Sequence, residues 1–418
     1  MKVILSINAG SSSVKISAYS AEKNKEPSQL AEAQLSGLTS PPILLKYSRR
    51  DVQVAKDQDV REKVESQDDA FKILLKTLID DQDLPEISER RDIAIACHRV
   101  VHGGGYDTSQ VINRETYHHL ERLTDLAPLH NATALEIVKT CMAEIPDAIN
   151  VSCFDSQFHS SIPEHVHTYP INPQIANKNQ LQKYGFHGIS YEFITSAVAQ
   201  FLGKDRNDLN IIALHLGSGA SACAIKNGKS WDTSMGLTPL AGLPGATRSG
   251  SVDPSLVFHY ASDVGKLSPS STKELHISRA EEILNKQSGW RALTGTTDFA
   301  TIASCEKPEH QLAFDLFADR ICGYVGSYYV ALGGAVDALV FAGGIGEKSG
   351  KLRRRVVEQA ACLGFELDGA RNDDGGKVEE GVVQDVGRRD AKHRTLVCQT
   401  DEQLQMARAC AHDDELWS

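Results

Sequence analysis

Apolar positions along the chain follow two periods. Short runs rich in β-branched residues occur at VILSI (3–7), IAIACHRVVH (93–102), INVSCF (149–154), IIALHL (211–216), SACAIK (221–226), DALVFAG (337–343) and TLVCQT (395–400). Runs this short, bounded by polar residues and glycines, predict strands. Longer segments with apolar residues three and four apart predict helices: DAFKILLKTLI (69–79), ATALEIVKTCM (132–142), SYEFITSAVAQFL (190–202), AFDLFADRICGYVGSYYVAL (313–332) and SGKLRRRVVEQAACLG (349–364). Strands alternating with helices of this length predict an α/β protein. Residues 20–68 and 366–394 are polar and weakly patterned, and predict hairpins and loops.

The pattern repeats once. VILSINAGSSSVKISAY (3–19) and IIALHLGSGASACAIKNG (211–228) each read as a strand, a Gly/Ser turn and a second strand. Two such units half a chain apart predict duplicated domains facing a cleft, with two unrelated hairpins as the alternative. A third glycine turn, FAGGIGEKSG (341–350), joins a buried strand to a helix, where free backbone N–H groups can receive a phosphate. Three hydroxyls, an amide and Lys15 around the first turn, NAGSSSVK (8–15), also suit an anion.

At 418 residues the chain is long for one core, so two domains are expected. A hydrophobic content of 41% with 24% charged residues is that of a globular protein. The net charge of −11 argues against a nucleic-acid partner, though not against a small anion held by a local cluster. No apolar run reaches the ~18 residues of a membrane span, and the opening residues do not resemble a signal peptide. The nine cysteines form no CxxC and sit mostly in apolar runs, so reduced thiols and a cytoplasmic location are expected.

Several segments are candidates for chemistry. CAIKNGKS (223–230) ends like a P-loop but has Cys223 where the first glycine belongs, and reads as a hairpin. His98 and His102 have the spacing of a helical zinc pair, but their run is strand-like and lacks the glutamate of HExxH, so structural roles are expected. His159, His165 and His167 read as a polar loop. Arg99, in HRVVHGGG, and Arg248, in GLPGATRSGSVDP, stand beside glycines that let backbone and ligand crowd in, and a guanidinium fork fits phosphate or carboxylate. Asp155 ends a strand, which suits catalysis or magnesium. His187 precedes a helix and is either a catalytic group or a cap. Asp401 reads as an N-cap, leaving Glu402 for a ligand.

The motifs INAGSSSVK (7–15), HRVVHGG (98–104), LAPLHN (126–131), FDSQFH (154–159), KYGFHGIS (183–190), HLGSGAS (215–221), TSMGLTPLAGL (233–243), TRSGSVDP (247–254), GGIGE (343–347) and TDEQL (400–404) together resemble the acetate kinase family, in its order and spacing. LAGLPGATRSGSVDPSLVFHY (240–260) looks like fungal members. The resemblance implies two duplicated actin-like (ribonuclease H-like) domains of βββαβαβα type facing a central cleft, 1–155 with 398–418, and 156–397. It implies magnesium-dependent, reversible, in-line phosphoryl transfer between ATP and acetate, manganese being a possible substitute, and a homodimer. Arg99 and Arg248 would hold the acyl carboxylate and the transferring phosphoryl, and His187 would donate to its oxygens. Asp155 would orient an arginine or help place magnesium, and Asn8 and Glu402 would be magnesium-side ligands. Val101, Leu129, Phe186 and Pro239 would form the acyl pocket. Ser11, Ser13 and Lys15 would line the phosphate path. His215, Leu216, Gly217, Ser218, Gly219, Asp298, Gly344, Ile345 and Gly346 would bind the nucleotide. Acetate is already ionised at neutral pH, so no general base is needed.

The chain departs from the family on the nucleotide side. Ser218 and Lys348 stand where Asn is usual, Ala300 where Arg is, and Gly105 where Glu is frequent. Another donor such as pyrophosphate therefore stands as an alternative. Two further readings are a kinase for another short carboxylate and a non-catalytic nucleotide clamp, the latter having no need of Arg99 and Arg248.

Overall fold

A computed structural model describes residues 1–10, 12–39, 41–123, 128–260, 266–269, 271, 277–373 and 381–417, without the side chains of residues 128–130, 132, 259 and 260. The chain divides into two compact units, Met1–Gln157 with Asp401–Ser418, and Phe158–Thr400.

In the first unit, β1 (Lys2–Ala9), β2 (Ser13–Ala21), β3 (Ser28–Ser36), β4 (Leu44–Arg49), β5 (Val52–Asp59), β6 (Ile93–Val100), β7 (Gln110–Val111) and β8 (Ile149–Phe154) form one sheet in the order β5-β4-β3-β2-β1-β6-β8-β7. β1 to β5 form an antiparallel meander, while β1, β6 and β8 run parallel. Strands β3 to β5 occupy much of the stretch that reads as hairpins and loops. Apolar burial falls from β3, which buries Leu30, Ala31, Ala33 and Leu35, to β4, which buries Tyr47, and β5, which buries only Ala55 and shows little apolar alternation. The helix Gln67–Ile79 covers this sheet with Ala70, Phe71, Leu74, Leu75 and Leu78, and Ser66 caps it by accepting from the Asp69 amide. The final helix, Glu402–Ala411, belongs to the same unit. Its Gln403 is buried, accepts from Ser17 Oγ at 2.6 Å and donates to the carbonyls of Ser6 and Lys15.

In the second unit, β9 (Ile211–Leu216), β10 (Ala220–Lys226), β11 (Lys229–Thr233), β12 (Ala338–Ala342), β13 (Val383–Asp385) and β14 (Arg394–Cys398) form a sheet in the order β11-β10-β9-β12-β14-β13. The antiparallel β9-β10-β11 meander with parallel β9, β12 and β14 repeats the β1-β2-β3, β1-β6-β8 arrangement. An internal duplication thus shows in strand order and direction. The helix Pro308–Ala331 packs onto this sheet through Phe314, Phe317, Ala318, Ile321, Val325 and Tyr328, a three-and-four spacing that makes it a core element.

In each sheet the strand order reverses at the first strand, between β1 and β6 and between β9 and β12. Ligands of open α/β sheets bind beyond the carboxyl ends of strands at such a reversal. The chemistry-bearing motifs lie there.

Candidate active site

At the carboxyl ends of β1, β6 and β8, Asn8, Arg99 and Asp155 converge with Glu402. Asp155 is 1% exposed and accepts from Arg99 Nη2 at 2.7 Å, and from Nε at 3.3 Å to one oxygen and 3.2 Å to the other. Arg99 Nη1 reaches Glu402 at 3.3 Å and the Asn8 side-chain oxygen Oδ1 at 3.4 Å. Asn8 Nδ2 donates to the same Glu402 oxygen at 3.3 Å. Burial opposes the charge on Arg99, but Asp155 and then Glu402 outweigh it and raise its pKa above that of a free arginine. The guanidinium is therefore a permanent cation held in one orientation. Asp401 caps the last helix by accepting from the Leu404 amide at 2.9 Å, which leaves the Glu402 carboxylate to this cluster.

The other residues expected in this unit are placed as follows. Ser13 is half-buried on β2, and Lys15 pairs with Glu32 at 2.8 Å. Val101 is half-buried just past β6. Ser11 and the Leu129 side chain lie outside the described residues. Gly105 meets nothing where a side chain would stand, so a larger residue has room there. His98 is buried against Asn150 at 2.8 Å, and His102 is buried beside Asn131, both as parts of the framework.

In the second unit the turn of residues 217–219 joins β9 to β10, closed by a bond from the Gly217 amide to the Gly219 carbonyl at 3.0 Å. A Cβ on Gly219 would stand 3.3 Å from Arg248 Nη1 and 3.5 Å from His187 Nε2, so the two functional groups meet over this glycine. Arg248 Nη1 also donates to the Pro239 carbonyl at 3.3 Å. His187 occupies the N-cap position of the helix Gly188–Leu202, in a left-handed conformation with φ 62°, yet its side chain makes no cap bond. Its Nδ1 instead meets Ser221 Oγ at 2.8 Å, and its ring stacks on His215 at 4.3 Å. His215 is anchored by Ser190 Oγ at 2.8 Å. Phe186 is buried, and its carbonyl accepts from His159 Nε2 at 3.2 Å. Desolvation lowers the His159 pKa to about 4, so the ring is neutral and its Nδ1 accepts from Ser230 Oγ.

Beyond β9 and β12 lies a pocket of about 580 Å³ lined by Ser218, Asp298, Ala300, Gly344, Ile345, Lys348 and Lys351 among others. Gly343 has φ +73°, and a Cβ there would lie 2.7 Å from the Leu216 carbonyl, so only glycine lets these strand ends close together. Leu216 is buried beneath, and Gly346 packs on it. Asp298 caps the short helix Phe299–Ser304. The Thr301 hydroxyl and the amides of Ala300 and Thr301 hold its carboxyl below the usual range. The fully buried Arg353 clamps the glycine turn by donating to the carbonyls of Gly346 and Glu347 at 2.8 and 2.7 Å. The sequence does not single out Ser190, Tyr191, Ser221, Lys351 or Arg353. Ser190 and Ser221 close the quoted motifs KYGFHGIS and HLGSGAS, whereas Tyr191, Lys351 and Arg353 look like ordinary helix residues.

The first unit supplies the oriented Arg99 guanidinium, and the second supplies the Arg248 guanidinium, the His187 imidazole and the glycine turns at 217–219 and 343–346. The model of the acetokinase family matches residues 3–408. The chain belongs to the acetokinase family. A probable acetate kinase of Chaetomium globosum is 61% identical over 99% of both chains. Among solved structures, a propionate kinase from Francisella tularensis subsp. tularensis is 30% identical with a TM-score of 0.82, covering 98% of this chain and 99% of its own. An acetate kinase from Porphyromonas gingivalis is 31% identical with a TM-score of 0.78, over 97% and 98%. This family member is thus a kinase with a carboxyl acceptor on an actin-like α/β fold.

Proposed function

We propose that the chain catalyses reversible phosphoryl transfer between ATP and acetate, giving ADP and acetyl phosphate. The carrying observation is Arg99, a cation fixed by the buried Asp155 at a strand end, as an anionic acceptor requires. Phosphoryl transfer asks chiefly for positioning and charge neutralisation. Arg99 holds the acetate carboxylate. Arg248 and His187 Nε2 neutralise the transferring phosphoryl, and the 217–219 turn beneath them receives the donor phosphates. Asp155 serves as the group that orients Arg99. The 580 Å³ pocket is sized for a nucleoside, which a pyrophosphate-only donor site would not need.

Asn8 and Glu402 fit a magnesium ion, or manganese in its place. Mg²⁺ is commonly held by one or two carboxylates plus substrate phosphates and water, and no group of three or more His, Cys, Asp or Glu side chains suited to a metal occurs among the described residues. When bound, the metal would offset phosphate charge. The protein is proposed to act as a cytoplasmic homodimer. Nine free cysteines support a reducing setting, and no described helix is long and apolar enough to cross a membrane.

A hydroxylamine trap tests the reading, with magnesium, ATP and acetate, propionate or butyrate in parallel. Acetyl hydroxamate is expected to dominate. Propionate should be a slower substrate, since one methylene discriminates by only about 1–3 kcal/mol. No hydroxamate with any acid, from protein that binds ATP, would overturn it, and a parallel arm with pyrophosphate identifies an alternative donor.

A further inference from the structure

His187 has two ring nitrogens, and only one of them can face the phosphoryl group. We propose that Tyr191 and Ser221 are positioning residues that fix the neutral imidazole of His187 in one tautomer, with its hydrogen on Nε2. This rests on the reading that His187 donates to the transferring phosphoryl.

The inference follows from counting hydrogens in a buried chain of three groups. Tyr191 Oη lies 2.6 Å from Ser221 Oγ, and Ser221 Oγ lies 2.8 Å from His187 Nδ1. Tyr191 and Ser221 are fully buried, so bulk solvent does not compete for their hydrogen bonds. The other partner of Tyr191 Oη is the His215 backbone amide, which is itself a donor. The tyrosine hydrogen therefore has Ser221 Oγ as its acceptor. Ser221 must then direct its own hydrogen to His187 Nδ1. A nitrogen that accepts carries no hydrogen, so the hydrogen of the neutral ring sits on Nε2. The reverse direction, Nδ1 to Ser221 to Tyr191, would leave a buried tyrosine O–H without an acceptor, at a cost of several-fold to a hundredfold in population.

The rest of the surroundings keeps Nε2 where the hydrogen is useful. The His187 backbone is held through the neighbouring Phe186 carbonyl by His159. Its ring is stacked on His215, and the charged group facing its Nε2 edge is the Arg248 guanidinium, across Gly219. A hydrogen on Nε2 and the Arg248 N–H groups thus present donors to one place.

The test is nitrogen NMR of ¹⁵N-histidine-labelled full-length protein, with the His187 signals assigned by their absence in His187→Gln. The expected wild-type pattern is a protonated Nε2 and a bare Nδ1. In Tyr191→Phe, Ser221 is free to accept, and the two signals should move toward a tautomer average. Hydroxamate turnover should show kcat falling about tenfold with both KM values within about twofold, the size expected for a partner that orients a functional imidazole. Ser221→Ala provides a second route to the same loss should Tyr191→Phe fold poorly. A wild-type ring with its hydrogen on Nδ1, or signals and kcat unchanged in both variants, overturns the proposal. If the signals shift as expected but neither these variants nor His187→Gln slows turnover, the tautomer lock stands and the assigned role of His187 falls.

Discussion

Asp155→Asn is the most informative single substitution in the Arg99 cluster. The carboxylate is 1% exposed and receives two Arg99 groups, Nη2 at 2.7 Å and Nε at 3.2–3.3 Å. Asparagine has the same size but offers one neutral acceptor and turns an N–H₂ group toward the guanidinium. A charge-assisted bond contributes about 1.5–3 kcal/mol and a neutral one about 1 kcal/mol. Exchanging two of the first for one of the second removes roughly 2–5 kcal/mol of orienting energy. Arg99 keeps Glu402 at 3.3 Å, so the charge is not abandoned and the unit should still fold. At about 1.4 kcal/mol per factor of ten, even the lower figure predicts a loss of about 30-fold in kcat. The assay is acetyl hydroxamate formation at saturating ATP and acetate, with circular dichroism confirming the fold. The KM for ATP should stay within about threefold, because Asp155 does not line the nucleotide-sized pocket. A kcat within threefold of wild type in folded protein would refute the reasoning, as would a rise in the ATP KM matching the fall in kcat.

Gly219→Ala places a methyl 3.3 Å from Arg248 Nη1 and 3.5 Å from His187 Nε2. It should lower kcat about tenfold with little change in melting temperature, checked by turnover and thermal unfolding. Arg353→Met leaves buried carbonyls at Gly346, Glu347 and Asn372 without their donor. Each orphaned group costs about 1–3 kcal/mol, so denaturant unfolding should show a markedly weaker Phe158–Thr400 unit and ATP binding should weaken. The pH dependence of stability follows from His98 and His159, whose pKa values desolvation lowers to about 4. Both rings fold neutral while the unfolded chain protonates near pH 6.5. The stability they support is therefore complete above about 6.5 and lost as pH falls toward 4, by up to about 3 kcal/mol each. Denaturant unfolding between pH 7 and 4 should show this slope, flattened in His98→Gln. Chelation of divalent metal should stop hydroxamate formation and added magnesium restore it, with both units remaining folded by circular dichroism.

Much of this protein is decided locally. The buried strands β1, β6, β9, β12 and β14 and the long helices are written in apolar periodicity, because burial on one or both faces dictates which positions must avoid water. The hairpin echo predicts the duplicated topology, since a glycine turn between β-branched runs has few other folded solutions. The ordered motifs identify the family along nearly the whole chain. Where apolar burial is thin, as in β4 and β5, backbone pairing rather than side-chain burial makes the strand, and the pattern fades. What a side chain does with its polar atoms is decided only by tertiary structure. His187 at a helix start reads equally as a cap or a catalyst, and its ring turns out to bond Ser221, 34 residues away in sequence. Tyr191, an unremarkable helix residue in sequence, sets the direction of that bond from beneath. Asp155 and Arg99, 56 residues apart, become a pair because β6 and β8 run parallel and adjacent, and Glu402 joins them because the last helix returns to the first unit. Hydrogen-bond partners are chosen by where strands and helices place buried polar groups, and that choice belongs to the folded chain.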